Sequence, residues 1–242
     1  MIAKTLATGS RGNCHLLIGE HETLILDMGI RFADIKKGLR YQLGNVVGAL
    51  VTHQHKDHAM AAAEACQQGL AIFSNRSTLE ACHISEHPYA HCVEARKPFR
   101  VGGFMITPYA VEHDAPNMAF VIIHPEMGKL LYCTDMSDFR VAVKGLNHIF
   151  IEANYDSEIL INNAWDSESM RYRINRLVDT HCSLDASIAI INSLACDVTQ
   201  NVVLMHLSSD NADASLFKAR AEALTGLPVA IAEPNLITPL SL

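Results

Sequence analysis

The chain contains the stretch Thr52-His53-Gln54-His55-Lys56-Asp57-His58, which holds three imidazoles and one carboxylate within six residues. It follows an apolar segment, 46–51, that predicts a buried strand, and it leads into an alanine-rich segment, 57–68, that predicts a helix. On such a turn His53 and His55 point the same way, while Asp57 and His58 leave on the helix. Nitrogen and oxygen donors grouped in this manner suit zinc or a similar ion. The stretch therefore predicts part of a metal site, with a solvated polar loop as the alternative.

Three further residues of ligand type stand just after predicted apolar strands elsewhere in the chain. They are His113, Asp135 and His206. Functional side chains often lie where strands give way to loops at the edge of a sheet. Each of the three alone is equally consistent with an ordinary polar strand end. Together with residues 53–58 they supply enough donors for two neighbouring metal ions.

The length and composition favour one globular domain of the α/β class. A chain of 242 residues with 49% hydrophobic and 19% charged residues can bury a large core. No apolar run approaches the roughly 18 residues that span a bilayer, and the first residues do not resemble a secretory signal. Seven cysteines occur without a C-x-x-C pair, which favours reduced thiols and a cytoplasmic location.

Strand and helix patterns recur in both halves of the chain, which favours a single layered domain over residues 1–242. The predicted strands are 2–7, 14–18, 23–26, 46–51, 104–111, 119–124, 129–133, 202–205 and 229–232. The predicted helices are 32–43, 57–68, 168–178, 184–194 and 211–224. Asp57 is expected to cap the second of these helices and Gly69 to end it.

The net charge of −7 argues against a general basic surface that coats nucleic acid. Two bound divalent cations would concentrate positive charge in one cleft, so the acidic balance remains compatible with an anionic substrate. The densest basic positions fall on two predicted helices, and a solvated helix face is their default interpretation. They are Lys36, Lys37, Arg40, Arg171, Arg173 and Arg176. A helix of this kind beside the cleft would guide a single-stranded end toward the metals.

The motifs resemble those of the metallo-β-lactamase superfamily along nearly the whole chain. Residues 24–29 resemble its first motif, residues 53–58 match its second, and the third to fifth are matched by His113, Asp135 and His206. The resemblance implies a four-layer αββα sandwich of two mixed sheets with helices outside. It also implies one metal held by His53, His55 and His113 and a second held by Asp57, His58 and His206. In the same scheme Asp135 bridges both metals, and Asp27 fixes a ligand histidine without touching either ion.

Four segments resemble one branch of that superfamily more closely. Residues 8–13, 112–116, 152–156 and 206–208 resemble the YycJ/WalJ-like proteins, a branch regarded as exonucleases, and more distantly the tRNA 3′-processing endonucleases. The glycine-rich segment 9–13 offers backbone amides to a phosphate or else forms a tight turn between strands. The candidate substrate-binding residues are Ser10, Arg11, Asn13, Asn154 and Ser183.

His181 opens the predicted helix 184–194 within His181-Cys182-Ser183-Leu184-Asp185-Ala186. This segment resembles the one in phosphodiesterase members whose histidine assists the leaving oxygen or binds the phosphate. The alternative is a histidine at a helix start that packs near Cys182. Cys182 and Asp185 stand where the endonucleases tend to have serine and glutamate, and no long arm for gripping tRNA is visible. These departures favour a shorter phosphodiester over a tRNA precursor.

These observations predict a dinuclear metal-dependent hydrolase that acts as a phosphodiesterase or nuclease on single-stranded or short nucleic-acid ends. Asp57, Asp135 and His181 are the expected catalytic residues, and attack comes from a water activated by the metals. The expected cofactors are two divalent ions per chain, zinc in the first place and manganese as the alternative. The expected partner is a nucleic acid or nucleotide and not a membrane, and a homo-oligomer remains open.

Three other functions remain open at this point. One is a phosphodiesterase of small cyclic or signalling nucleotides, which would use the same metals in a narrower pocket. A second is a hydrolase of thioesters or lactones, since a fold alone does not set the reaction. The third is a non-catalytic binding module that the metals stabilise.

Overall fold

The computed structural model describes residues 1–163 and 168–241, except for the side chains of residues 168–173. Two β-sheets pack face to face in this part of the chain, and helices cover the outer side of each sheet. This arrangement confirms the predicted four-layer αββα sandwich. Arg171 and Arg173, two of the basic positions, have side chains outside the described residues.

Fourteen strands, counted over the described residues, form the two sheets. They are β1 (Ile2–Ala7), β2 (Cys14–Ile18), β3 (Thr23–Leu26), β4 (Val46–Leu50), β5 (Ile72–Ser74), β6 (Ala90–Cys92), β7 (Phe99–Val101), β8 (Phe104–Val111), β9 (Asn117–His124), β10 (Gly128–Cys133), β11 (His148–Glu152), β12 (Asn201–Met205), β13 (Val229–Ile231) and β14 (Ile237–Pro239). The first sheet has the order β14-β1-β2-β3-β4-β5-β6, and the second has the order β13-β12-β11-β10-β9-β8-β7. Strands β3 to β6 pair in parallel, as do β10 to β13. Parallel neighbours end at the same edge, so each sheet brings several strand ends together.

Eight α-helices, again counted over the described residues, flank the sheets. They are α1 (Phe32–Gly38), α2 (Lys56–Ala59), α3 (Ala62–Gln67), α4 (Arg76–Ala81), α5 (Ser157–Asn163), α6 (Glu168–Thr180), α7 (Leu184–Leu194) and α8 (Ala214–Thr225). Helices α1, α3 and α4 pack on the first sheet, and α7 and α8 pack on the second. The bounds of α8 have a local cause, because the Asp213 carboxylate caps its start and Gly226, at φ 68°, ends it.

Alternate side chains of the central strands enter different hydrophobic cores. In β10, Leu130 and Tyr132 lie between the two sheets, whereas Leu131 and Cys133 face the outer helices. The same alternation holds in β9 and β12. A strand buried on both faces needs apolar residues at nearly every position, which explains the continuous apolar runs in the sequence.

Composition predicts reduced thiols and no membrane-spanning segment, and the structure bears on both expectations. All seven cysteines are free. No helix among the described residues is long and apolar enough to span a lipid bilayer.

The predicted helix 57–68 is wrong as a single element. The structure divides it into α2 and α3, and Asp57 lies inside α2 instead of capping it. The reason is tertiary hydrogen bonding, because the carbonyl oxygens of Asp57 and His58 accept from the backbone N–H groups of Asn13 and Met28, each at 2.7 Å. Those two carbonyls therefore bind residues outside the segment, and the segment 57–68 does not form one continuous helix.

One other predicted helix is too long, and several short elements were not predicted. The predicted helix 32–43 ends early at Gly38, and Arg40 and Tyr41 then adopt left-handed conformations at φ 52° and 60°. Strand β11 was not predicted, because its apolar run is only three residues long and its partners β10 and β12 lie far away in sequence. The short strands β5, β6, β7 and β14 and the helices α4 and α5 were also not predicted.

Gly29, in the first motif, packs tightly against the backbone of the segment 52–58. An added Cβ at Gly29 would lie 1.6 Å from the carbonyl oxygen of Asp57 and 2.7 Å from the backbone nitrogen of Asn13. Both contacts are backbone atoms, so neither can move without breaking the hydrogen bonds that hold α2. Only glycine leaves room for the segment 52–58 to pack here.

We therefore expect Gly29→Ala to lower the free energy of unfolding by at least about 2 kcal/mol through overpacking. Gly44→Ala is the matched control, since an added Cβ at Gly44 meets nothing within 4 Å. We expect that control to change stability by less than about 1 kcal/mol. Urea unfolding of both variants and the wild type measures the difference. Equal stability of the two variants would contradict the docking role of Gly29.

Candidate metal centre

Strand ends from both sheets bring the predicted site residues together. Asp27 follows β3, the segment 52–58 follows β4, Asp135 follows β10 and His206 follows β12. Asp27, Asp135 and His206 adopt left-handed conformations, with φ of 58°, 52° and 55°. Such values are uncommon outside glycine and concentrate at functional sites. The turns at Asp135 and His206 direct these side chains into one cluster with His58, and the turn at Asp27 places its carboxylate on the opposite side of the His58 ring.

The first donor set consists of three imidazoles and one carboxylate. His55 Nδ1 lies 2.9 Å from His53 Nε2 and 3.3 Å from His113 Nε2, and Asp135 Oδ2 is 3.8 Å from His53 Nε2. The opposite ring nitrogens have their own partners. His113 Nδ1–H donates to the Thr180 carbonyl oxygen at 2.9 Å, and the Nδ1 of His53 lies 3.1 Å from the Thr52 hydroxyl. The Nε2 atoms of His53 and His113 are therefore left on the side of His55 Nδ1.

The second donor set shares Asp135 with the first. His58 Nε2 lies 3.2 Å from Asp135 Oδ1 and 3.5 Å from Asp57 Oδ2. His206 Nε2 lies 3.5 Å from Asp57 Oδ2 and 3.6 Å from Asp135 Oδ1. One carboxylate thus turns one oxygen to each set. The structure brings together all seven residues that the sequence suggested as metal ligands.

The spacing and chemistry of these donors fit divalent metal ions. The distances between neighbouring donor atoms run from 2.9 to 3.9 Å. Nitrogen and oxygen ligands about 2.0–2.1 Å from a tetrahedral ion lie roughly 3.4 Å from one another, so an ion fits within each set. Imidazole lone pairs turned toward each other repel unless a cation or a proton lies between them.

The electrostatics of the centre also call for positive charge. Burial lowers the pKa of His53 well below its usual value, and the neighbouring His58 lowers it further. Burial also lowers the pKa of His206, but the charge of Asp135 and the hydrogen bond to Asp57 outweigh it and raise that pKa to about 10. The cluster therefore holds enough buried carboxylate to bind a proton on one of its histidines. A divalent cation would satisfy the same carboxylates.

Asp27 orients this cluster from beneath. Its Oδ1 accepts from the backbone N–H and the hydroxyl of Thr52 at 2.8 and 2.9 Å. Its Oδ2 accepts from His58 Nδ1 at 2.9 Å and from the Tyr132 hydroxyl at 2.8 Å. The bond to Nδ1 leaves the Nε2 lone pair of His58 for the cluster, which is the orienting role expected of Asp27.

A cleft of about 420 Å³ opens above the two donor sets. Lys56 and Arg176 bring positive charge to its lining, and His181 faces it with its ring stacked on that of His206 at 5.4 Å. Arg176 Nη2 donates to Asp114 Oδ2 at 2.7 Å, so this arginine already has an anionic partner at the cleft. The helix that carries Arg176 is therefore one that borders the metal centre.

This fold and donor arrangement agree with a family match. Residues 28–207 match the family described as a β-lactamase superfamily domain. The chain belongs to that superfamily.

Three individual proteins are similar to this chain over most of its length. The chain is 29% identical over 220 residues to the exodeoxyribonuclease YycJ of Bacillus anthracis, with 85% of this chain and 82% of that protein covered. The metallo-β-lactamase-fold protein YhfI of Bacillus subtilis superposes with a TM-score of 0.76 at 16% identity over 98% of each chain. The human short-form tRNase Z, ELAC1, superposes with a TM-score of 0.64 at 16% identity over the full length of both chains. At these identities the two structures share the fold with this chain.

Glu152 is a member of the centre to which the superfamily motifs gave no role. Its buried carboxylate accepts from His181 Nδ1 at 2.5 Å through Oε1 and from the Met136 backbone N–H at 3.0 Å through Oε2. Burial lowers the pKa of His181, but the Glu152 charge outweighs it and raises that pKa overall. The sequence pointed to the segment 152–156 through its resemblance to the YycJ/WalJ-like branch, but it gave Glu152 no role because β11, which positions this carboxylate, was not predicted.

The candidate substrate-binding residues separate into two groups. Ser10 lines the cleft and Arg11 is exposed beside it. Asn13 is buried, and its amide bonds to Gly9 and to the Asp57 carbonyl oxygen. Asn154 is also buried, and its amide donates to the His206 carbonyl oxygen at 2.9 Å. These two asparagines contact the protein itself and hold the turns that carry candidate metal ligands.

Ser183 belongs with the second group. Its hydroxyl accepts from the backbone N–H of Ala186 at 3.2 Å and so caps the start of α7. A serine at this position stabilises the helix by satisfying one of its free N–H groups. The backbone of His181 is held from the other side, since its N–H donates to the carbonyl oxygen of Leu177 at 2.9 Å.

The Tyr132 hydroxyl gives a test of the network around Asp27. Tyr132→Phe removes one of the four donors to a buried carboxylate, and we expect a loss of about 1.5–3 kcal/mol in unfolding free energy. Tyr109→Phe is the control, because within the described residues the Tyr109 hydroxyl has no hydrogen-bond partner, and we expect a change within about 0.5 kcal/mol. Urea unfolding measures both. A Tyr132→Phe protein as stable as the wild type would show that this donor is dispensable.

Proposed function

We propose that this superfamily member is a dinuclear metal-dependent phosphodiesterase, a nuclease that acts on single-stranded or short nucleic-acid ends. One observation carries the proposal: two donor sets share the Asp135 carboxylate at the floor of a cleft whose lining includes Lys56 and Arg176. A two-metal clamp suits in-line displacement at phosphorus, and basic side chains at its edge suit an anionic substrate. Zinc is the favoured metal because imidazole nitrogens dominate the donors, and manganese is the alternative.

The ligand assignment in this proposal follows the two sets. His53, His55 and His113 would hold one ion, and the other would be held by Asp57, His58 and His206. Asp135 would bridge the ions. When bound, such ions supply Lewis acidity at the phosphoryl oxygens and a water activated for attack. Within this set Asp57 has the most exposed side chain of the carboxylates, at 23% against 3% for Asp135, and therefore meets incoming water.

His181 is placed to handle the proton of the leaving group. Glu152 accepts from its Nδ1 and favours the protonated ring, so the Nε2–H is available on the cleft side. A protonated imidazole held in this way can donate to the oxygen that departs from phosphorus. Glu152 has the supporting role of fixing the tautomer and the orientation of that ring.

The relatives and the charge distribution support the choice of substrate. The exodeoxyribonuclease YycJ resembles this chain over most of its length, and tRNase Z shares its fold. The net charge of −7 disfavours a broad basic surface that could follow a duplex. A single-stranded end needs fewer backbone contacts, and we therefore propose weak, salt-dependent binding with a preference for ends over duplex.

A substrate panel tests the reaction class. We expect metal-dependent hydrolysis of bis(p-nitrophenyl) phosphate and of a single-stranded oligodeoxynucleotide, with slower cleavage of the same sequence as a duplex. Removal of the metals with a chelator should abolish both activities, and added zinc or manganese should restore them. Hydrolysis of a cyclic nucleotide with none of single-stranded DNA or RNA would overturn the nuclease assignment. A thioester or lactone hydrolysed far faster than either phosphodiester would overturn the phosphodiesterase assignment.

His181→Ala tests the leaving-group role. We expect turnover of an oligonucleotide to fall by about 10²–10⁴-fold, with two metal ions per chain retained. The loss should be much smaller on bis(p-nitrophenyl) phosphate, because a nitrophenolate departs with little need of a proton. His21→Ala is the control, since His21 is 86% exposed on the surface. Loss of metal from His181→Ala, or an equal loss on both substrates, would make His181 structural.

A metal analysis of the wild type decides whether the centre is catalytic or structural. The proposal requires two ions per chain, since seven residues share the ligand positions and leave others open for water. One tightly held ion per chain without hydrolysis of any phosphodiester would favour a metal-stabilised binding module.

A further inference from the structure

A second cavity of about 600 Å³ lies beside the cleft of the metal centre. Its walls come from residues 8–11, 207–209 and 231–233, with Ala212 and Ala214 at one side. We call it the Arg11 pocket. Ser10 lines both this pocket and the cleft, so the two spaces adjoin at that residue. The volume falls in the range of small-molecule sites.

The walls of the Arg11 pocket are built on the metal-binding turns. The turn 9–12 closes with a hydrogen bond from the Gly12 N–H to the Gly9 carbonyl oxygen at 2.9 Å. The Asn13 side chain binds both backbone groups of Gly9, and its Nδ2 lies 3.0 Å from Nε2 of His58. On the opposite wall, residue 207 follows His206, whose backbone N–H donates to the Thr8 hydroxyl at 2.9 Å. The pocket is therefore held at a fixed position relative to the metal ligands.

The lining combines three kinds of chemistry. Arg11 is exposed, and no carboxylate of the described residues lies within ion-pair distance of it. Glu233 is an exposed acceptor in the same pocket, and it does not pair with Arg11. Leu207, Ile231 and Ala232 add an apolar surface. A cation, an acceptor and an apolar wall match a nucleotide, because a guanidinium binds phosphate or stacks on a base, and a carboxylate accepts from a base amino group.

We propose that the Arg11 pocket binds the nucleotide next to the scissile phosphate of a single-stranded substrate. This inference rests on the proposed nuclease function and adds a subsite to it. Arg11 binds the phosphate or base of that nucleotide, the apolar wall packs against the base, and Ser10 marks the path between pocket and metals. The pocket thereby sets the register in which the strand enters the cleft.

Two variants test the pocket by different means. Arg11→Ala removes the cation, and Ala214→Trp fills the space from an exposed position at the first residue of α8, where bulk is compatible with folding. Each is assayed on a thymidine tetranucleotide and on bis(p-nitrophenyl) phosphate, which has no nucleoside. We expect the KM for the tetranucleotide to rise about tenfold in Arg11→Ala, through loss of a charge-assisted contact, and about as much in Ala214→Trp, through steric exclusion of the nucleotide. Kinetics on bis(p-nitrophenyl) phosphate should stay within about twofold of the wild type.

Arg100→Ala is the matched control. It also removes one exposed arginine, but Arg100 lies on β7, at the opposite edge of the second sheet from β12 and β13. We expect it to leave both activities unchanged. If it raised the KM for the tetranucleotide as much as Arg11→Ala does, the effect would belong to net charge and the pocket assignment would be overturned.

A binding titration supplies a readout without turnover. A fluorescent phosphorothioate thymidine tetranucleotide is titrated into the metal-loaded protein over a series of salt concentrations. We expect Arg11→Ala to weaken binding and to reduce the slope of log Kd against log salt by about 0.7 for one lost phosphate contact. An unchanged affinity in both pocket variants would overturn the assignment.

The outcomes separate this inference from the function on which it rests. A wild type active on both substrates, with Arg11→Ala unchanged on both, would overturn the pocket alone. An equal loss on both substrates would also overturn it, because Arg11 would then support the metal centre. A wild type inactive on every phosphodiester would overturn the proposed function, and the pocket assignment with it.

Discussion

The buried carboxylate of Asp27 holds the metal centre in the geometry that the rest of the site requires. An ionised carboxylate out of contact with water is costly unless donors occupy its lone pairs. Here four donors do so, two from Thr52 and one each from His58 and Tyr132. Since Tyr132 lies on the second sheet, the same charge joins both sheets to the start of α2. The fold and the orientation of a candidate ligand thus depend on one group.

The turns that present the ligands are costly by themselves. Asp27, Asp135 and His206 occupy left-handed conformations, which cost roughly 1–2 kcal/mol for residues with a Cβ. Glycine would remove that cost but would also remove the side chain on which the site depends. Hydrogen bonds to the backbone hold the strained turns in place, for example the one that the His206 N–H donates to the Thr8 hydroxyl. The strain is therefore stored where three strand ends must point side chains at one place.

The clustering of the candidate ligands could be predicted from sequence because its members are polar residues at the ends of strongly apolar strands. Most of the strands were predicted for the same reason. Glu152 was missed because β11 exists only through pairing with two distant strands, so three apolar residues gave too weak a signal. The division of helix 57–68 was missed because long-range bonds from Asn13 and Met28 override local helix preference. The sequence also could not show that Asn13 and Asn154 turn toward the protein and away from the cleft.

The two asparagines explain how a strand could be held in register with the metals. Asn13 contacts both the turn at Gly9 and the ring of His58, and Asn154 holds the turn at His206. A wall of the Arg11 pocket and a candidate metal ligand are thus fixed by the same amide groups. A nucleotide bound in the pocket would then meet the metals at a set distance, which lowers the entropy lost in reaching the reactive geometry. A substrate strand positioned by rigid turns needs few contacts with basic side chains along its length, which suits a protein with a net charge of −7.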